Sequence, residues 1–219
     1  MDFQKLAQYV IEGDASSAEE WTRKALDSGV DPLEIMNRGL IPGMEVVGQK
    51  FSDGEYYLPE MLIAARAMKR CLKDLKPLIA GRKEVSRGRV VIGTVKGDVH
   101  DIGKNIVAMM LEGAGFEVYD LGLDVPPEKF VEAVERHQAH ILGLSALITT
   151  SMPTMKTVIE ALQAAGIRER VKVMVGGAPV TEEYAHQIRA DGYAPDAGAA
   201  TEKAKELLGL QTLATVPLA

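Results

Sequence analysis

Through the first 80 residues the apolar positions recur every three or four residues, and beyond Arg89 they gather into short β-branched runs separated by polar loops. Leu6, Tyr9 and Val10 fall on one helix face, and Trp21, Ala25 and Leu26 on another, a spacing that predicts amphipathic helices. Turn signals stand at Gly13-Asp14-Ala15-Ser16 and Gly29-Val30-Asp31-Pro32. In the second, Asp31 is placed to cap and Pro32 to occupy the first helical position. A third helix carries Ile35, Leu40, Met44 and Val47; a fourth, from Leu58 to Ile79, buries Met61, Leu62, Ala65, Met68 and Leu72. Short antiparallel helices with brief connections predict a four-helix bundle. The charged, Gly-flanked stretch 81–88 has no apolar face and reads as a linker, so residues 1–86 form one expected domain and 87–219 a second.

In the second domain strands are expected at 90–95, 117–121, 140–144, 171–175 and 192–194, alternating with helices at 105–112, 127–136, 153–164, 181–188 and 199–208. Such alternation calls for an α/β fold, a parallel sheet covered on both faces. With five strands the expected order is flavodoxin-like (Rossmann-type), 2-1-3-4-5, and the ligand crevice lies outside the carboxyl ends of the strands at the switch point between strands one and three.

That geometry directs attention to three loops. The first runs Lys96-Gly97-Asp98-Val99-His100-Asp101-Ile102-Gly103, the second Ser145-Ala146-Leu147-Ile148-Thr149-Thr150-Ser151, and the third Gly176-Gly177-Ala178-Pro179. Asp98 stands two residues from His100, and a carboxylate that holds one imidazole nitrogen makes the other a better metal ligand. A lone His cannot build a tight bare-metal site, but it can complete a metal already held by a macrocycle. Each loop also has a plainer reading. The His can be simply solvated, Gly176-Gly177 can be a tight turn, and the Ser/Thr-rich loop, Ser151 included, can cap the next helix. Met109, Met110 and Met155 read as core filler. Cys71 reads as a buried, inert thiol, and His137, His140 and His186 as surface imidazoles. The terminal helix reads as amphipathic with its charges facing out.

Composition narrows the partners. The 219 residues are 47% hydrophobic, and 25 basic against 31 acidic residues give a net charge of −6. With no basic block there is no footprint for nucleic acid or for an anionic membrane. No apolar run approaches a membrane span, the N-terminus does not resemble a signal peptide, and the single cysteine excludes an internal disulfide. A cytoplasmic location is expected.

The three loops resemble the cobalamin-binding corrinoid proteins of methyl-transfer systems and are similar to the cobalamin-binding module of methionine synthase. The pattern Asp-x-His-x-x-Gly stands here as Asp98-Val99-His100-Asp101-Ile102-Gly103, followed by Ser145-Ala146-Leu147 and Gly176-Gly177. The helical half resembles the family's cap through Gly43-Met44, Val46-Val47-Gly48, Phe51 and 54–60, so the likeness covers nearly the whole chain. It is nearest to the stand-alone proteins of methanol, methylamine, methoxyaromatic or betaine demethylation.

The resemblance implies a cobalamin-type corrinoid, such as methylcobalamin, with His100 as the lower cobalt ligand in place of the cofactor's benzimidazole. It implies that Asp98 accepts from the other imidazole nitrogen and that Ser151 extends the relay towards solvent. Gly97, Val99, Asp101, Ile102 and Gly103 complete the first loop around the cofactor. Ser145, Leu147 and Thr149 would line the slot for the displaced nucleotide tail, with Gly176, Gly177 and Ala197 letting backbone lie against it. Phe51, Leu58 and Met61 would shield the methyl group, although on apolar pattern alone they read as bundle core. Asn37 departs from methionine synthase, where that cap position is acidic. The chain would not catalyse alone. It would accept a methyl group from a substrate-specific methyltransferase and donate it to a second one with a folate or thiol acceptor, with a reductive activase as a further candidate partner. Handover would need the cap to move, with the hinge at 82–87. A cobalamin sensor and the small subunit of a cobalamin-dependent mutase are the alternatives. The first lacks a preceding DNA-reading segment here, and the second lacks such a helical half.

Overall fold

The computed structural model describes residues 1–79 and 86–210. They group into two units, Met1–Ser86 with Glu112–Gly115, and Arg87–Leu111 with Phe116–Ala219. Residues 81–85 of the expected linker, which include most of the expected hinge, lie outside the described residues.

The helical unit opens with α1 (Phe3–Glu12) and α2 (Ala15–Asp27), whose first amides are capped by the carboxylates of Asp2 and Asp14. Asp31 caps α3 (Pro32–Ile35) by accepting from the Leu33 amide. The expected third helix is interrupted. A π-turn, Met36–Leu40, separates α3 from α4 (Ile41–Ser52), and the Ile41 amide reaches back five residues to the Met36 carbonyl. Pro42 supplies the reason. It has no N–H to give the Arg38 carbonyl, and its ring would collide with that carbonyl in a regular α-turn, so one extra residue is wound in. The long α5 (Leu58–Ile79) buries Met61, Ala65, Met68 and Leu72 as expected, but Leu62 is 40% exposed. Leu62 lies about 100° round the helix from Met61, off the buried stripe. Ala18 and Ala25 of α2 and Ala64 and Ala67 of α5 are all buried, small side chains that suit the packing of α2 on α5. No helix of the described residues is long and apolar enough to cross a membrane.

In the second unit, β1 (Arg89–Thr94), β2 (Glu117–Asp120), β3 (Ile141–Ser145), β4 (Lys172–Gly176) and β5 (Gly192–Ala194) form a parallel sheet of order β2-β1-β3-β4-β5. The helices α6 (Ile102–Gly113), α7 (Pro127–His137), α8 (Pro153–Ala164) and α9 (Glu182–Gln187) are the crossovers, and α10 (Ala197–Leu207) follows β5. β1, β3 and β4 are buried almost throughout, as central strands of a two-sided sheet must be. Phe130 of α7 is fully buried, and a Cβ on Gly93 of β1 would lie 2.7 Å from its ring, so the glycine admits that ring onto the strand. Burying such a ring contributes roughly 2–3 kcal/mol. Register places Thr94, Ser145 and Gly176 side by side at the carboxyl ends of β1, β3 and β4. The three candidate loops therefore leave the sheet next to one another.

Two smaller expectations, for His137 and for the terminal helix, are corrected. His137 is half-buried and stacks on Tyr119 with ring centroids 3.7 Å apart. His140 is exposed as expected, and its Nδ1 accepts the Arg89 amide at 3.0 Å, which ties strand starts together. In α10 Lys205 is buried and reaches Glu202 at 2.9 Å, which departs from an all-outward arrangement of charge.

Candidate functional site

After β1 the chain turns at Gly97, whose φ of +88° favours glycine, and Asp98 turns inward. Asp98 is 1% exposed yet surrounded by donors. Its Oδ1 accepts from the His100 amide at 3.0 Å and stands 2.7 Å from His100 Nδ1. Its Oδ2 accepts from the amides of Leu147 at 2.7 Å and Ile148 at 3.2 Å and from the Ser151 hydroxyl at 2.7 Å. Burial alone would raise the Asp98 carboxyl, but the bonds from Ser151, His100 and the Leu147 amide outweigh it and hold the carboxyl well below the usual carboxylate range. An ionised Asp98 can only accept, so the neutral imidazole keeps its proton on Nδ1 and leaves the Nε2 lone pair open. The His100 side chain is 47% exposed, so that lone pair is carried by a half-accessible ring on a rigid base.

The loop's main chain is fixed as well. The Thr94 hydroxyl, buried at the end of β1, donates to the His100 carbonyl at 3.0 Å. The sequence reading missed Thr94, and it missed the amides of Leu147 and Ile148, since main-chain donors carry no sequence signal. It also missed Asp124, which accepts the Gly97 amide at 2.7 Å and donates its own amide to the Asp98 carbonyl at 3.1 Å. Its only sequence sign is an Asp two residues after the single glycine, Gly122, that follows the strand.

Asp98, His100 and Ser151 are thus brought into one cluster. Ser151 is not a cap, because α8 begins without a side-chain capping bond. Nor does it lead outward as expected: it is 2% exposed and its other acceptor is the Ile148 carbonyl at 2.8 Å, so the contact ends inside the protein. Ser145 is half-buried at the end of β3, and Leu147 and Thr149 are exposed on the following loop. Gly176 and Gly177 have a cause within the fold. A Cβ on Gly177 (φ +126°) would lie 1.9 Å from the Ala146 carbonyl oxygen, and one on Gly176 would lie 3.0 Å from that of Ala194. Ala197 is buried at the start of α10. In the helical unit Phe51 and Leu58 are half-buried, Met61 is buried, and Asn37 is exposed on the π-turn.

The chemistry of this face suits a broad, metal-holding ligand. Val99 (69% exposed), Ile102 (71%), Leu123, Leu147 and Ile148 are exposed large apolar residues on the loops that carry or flank His100. Lys96, Asp101 and Gly103 frame them, and a Cβ on Gly103 would meet nothing within 4 Å, so the fold itself does not require glycine there. Among the described residues no three His, Cys, Asp or Glu side chains stand together as a metal-binding set. His100 offers one nitrogen, which matches a metal whose remaining ligands come from elsewhere. A cavity of about 320 Å³ between the β2 end and α7, lined by Leu121, Val125, Lys129, Arg136 and His137 among others, includes none of the expected site residues.

Comparison with known proteins agrees with this chemistry. Residues 88–208 match a family described as B12 binding domain, and residues 2–76 match a second model of the same description. The chain is 45% identical over 208 residues to a trimethylamine corrinoid protein of Methanosarcina barkeri, covering 94% of this chain and 96% of that one. It is 51% identical over 182 residues to dimethylamine corrinoid protein 1 of Methanosarcina acetivorans, covering 82% and 84%. Among solved structures it resembles the methanol:cobalamin methyltransferase complex MtaBC of Methanosarcina barkeri, with a TM-score of 0.83, 33% identity, and coverage of 94% of this chain and 79% of that one.

Proposed function

This chain belongs to the B12-binding corrinoid proteins of methyltransferase systems, carriers of a methyl group between two methyltransferases, and we propose that its methyl group comes from a methylated amine and that His100 ligates the cobalt. The observation that carries the ligand assignment is the Asp98–His100 contact at 2.7 Å, which holds Nδ1 and leaves Nε2 open on a half-exposed ring. The amine assignment rests on relatives named for trimethylamine and dimethylamine at 45% and 51% identity, against 33% for the structure named for methanol. O-demethylation has weaker support on the same ground.

When bound, the corrinoid supplies the cobalt that takes up and releases the methyl group. The chain's own residues do the rest. His100 would hold the cobalt through Nε2, and Asp98 orients the ring through Nδ1 while remaining anionic. Ser151, with the Leu147 and Ile148 amides, fixes the carboxylate from the far side. The exposed Val99, Ile102, Leu147 and Ile148 would offer apolar contact to the macrocycle, and Gly97, Asp101 and Gly103 of the same loop would complete its surroundings. Ser145, Leu147 and Thr149 are proposed to receive the nucleotide tail beside Gly176, Gly177 and Ala197, while Phe51, Leu58 and Met61 are proposed to shield the methyl group. A donor methyltransferase and an acceptor methyltransferase that uses a folate or a thiol are the proposed partners, with a reductive activase, in the cytoplasm.

His100→Ala loaded with methylcobalamin tests the assignment. The variant is expected to retain cofactor but to show an absorption spectrum changed by loss of imidazole, and an unchanged spectrum would overturn it. For the donor, the methyltransferase captured anaerobically by the chain is assayed with tri-, di- and monomethylamine, methanol and a methoxyarene; turnover confined to the last two would overturn the amine reading.

A further inference from the structure

Along the β1–β2 edge, Ile92 pairs with Asp120 and Val95 with Val125, so the second strand uses two more residues than the first over the same span. The two surplus residues make a bulge within Leu121–Asp124. Bulges of this kind re-aim side chains and cluster at functional edges. Gly122 has φ +83° and Asp124 φ +51°. For a residue with a side chain the left-handed conformation is unfavourable, although Asp tolerates it better than most. Something must hold Asp124 there.

Two bonds do, and both reach the loop that carries His100. The Asp124 amide donates to the Asp98 carbonyl at 3.1 Å, and its Oδ1 accepts the Gly97 amide at 2.7 Å. On the other side the Asp98 carboxylate is held by Leu147, Ile148 and Ser151. The Gly97–Asp98 turn is therefore clamped between the bulge after β2 and the loop after β3. A Cβ on Gly97 would meet nothing within 4 Å, so its glycine serves the turn and not packing.

We propose that Asp124 is a positioning residue for the axial imidazole: through the Gly97 amide it fixes the turn from which His100 is aimed. The inference rests on the assignment of His100 as the cobalt ligand, and it explains why a strained, exposed aspartate sits at this edge. It predicts dependence on an acceptor at this position and not merely on the shape of the bulge.

Full-length protein carrying 15N-labelled histidine, loaded with cobalamin and reduced to the cobalt(II) state, provides the test, since a two-line nitrogen splitting in its electron paramagnetic resonance spectrum reports the protein's imidazole on the metal, whereas the cofactor's own unlabelled benzimidazole gives three lines. Asp124→Ala is expected to lower the ratio of imidazole-bound to imidazole-free cobalt about tenfold, the low end of what loss of an outer partner costs a metal ligand. Asp124→Asn, which accepts left-handed backbone and keeps an oxygen acceptor, should restore the wild-type ratio. Asp124→Gly relieves the backbone but offers no acceptor, and should resemble Ala. Rescue by Gly, or an Ala variant equal to wild type, overturns the proposal. In the cofactor-free protein the Gly97 amide should exchange with solvent faster in the Ala and Gly variants than in wild type or Asn, and equal rates in all four also overturn it. Wild-type protein with no two-line splitting from the labelled imidazole would sink the His100 assignment instead, and the exchange rates would still decide whether Asp124 holds the turn.

Discussion

Asp98 meets five donors with two oxygens, and of these the Ser151 hydroxyl alone also reaches a second acceptor, the Ile148 carbonyl. That one-sidedness makes the carboxylate hard to replace by its nearest isostere. An amide in the same place turns an N–H towards either the His100 side or the Leu147–Ile148–Ser151 side, and on each stand main-chain amides that can only donate. Asp98→Asn should therefore lower the stability of the cofactor-free protein by about 2–3 kcal/mol, the cost of leaving buried donors unpaired beside a lost charged acceptor. Urea unfolding monitored by circular dichroism measures it, and a midpoint equal to wild type would show that the donors find other partners. His140 gives the residue scale its pH dependence. Burial first, and the charge of Arg89 second, push its pKa below the ordinary value. The unfolded chain takes up that proton near pH ~6.5, while the folded chain resists until the pH is lower. Between the two the unfolded state binds more protons, so this contribution is present above about pH 6.5 and is lost as the pH falls through the folded value. The ring is exposed, so the slope should be shallow. His140→Asn keeps an acceptor for the Arg89 amide without titrating, and its stability at pH 5.5 should fall less, relative to pH 7.5, than that of wild type.

Glycines separate the demands of the fold from those of the ligand at the scale of strands and loops. Gly177 lies where a Cβ would press on the Ala146 carbonyl, in a conformation that L-residues rarely adopt. Gly177→Ala should cost at least about 2 kcal/mol in the cofactor-free protein, through overpacking and strain together. Gly103, on the first turn of α6, faces open space. Gly103→Ala should leave the cofactor-free protein equal to wild type or more stable by up to about 1 kcal/mol, because alanine is the better helix former. The same substitution should weaken corrinoid binding if the macrocycle lies against that turn. Paired melting curves and cobalamin titrations decide it: unchanged affinity in Gly103→Ala would move the ligand away from α6. The elements themselves were largely legible. β-branched runs such as Val90-Val91-Ile92 and Val171 to Val175 mark buried parallel strands, and alternation with helices leaves few strand orders to choose from. The break at Met36–Leu40 was hidden because the apolar spacing from Ile35 to Val47 tolerates one extra residue, although Pro42 was its visible cause. The bulge after β2 was hidden too, since it depends on a pairing register and not on any residue pattern.

At the scale of the whole molecule, the residues that make up the proposed axial site belong to a single unit. Asp98 and His100 leave β1, Leu147 and Ser151 leave β3, and Asp124 leaves β2, all at the carboxyl edge of one sheet. The sequence could nominate Asp98, His100 and Ser151, because side chains are what it records. It could not show that the cluster closes on main-chain amides or that Ser151 points inward. Because the site is assembled by the sheet, a ligand there should stabilise the sheet. A corrinoid at a hundredfold excess over its dissociation constant adds about 2.7 kcal/mol to whatever unfolding releases it. Amides of β1, β3 and β4 that exchange only when the sheet unfolds should then be slowed about hundredfold. Hydrogen exchange of the full chain with and without hydroxocobalamin measures this peptide by peptide. Protection gained in α1 to α5 alone, with β1, β3 and β4 unchanged, would place the cofactor's main hold in the helical unit and displace His100 from the centre of the site.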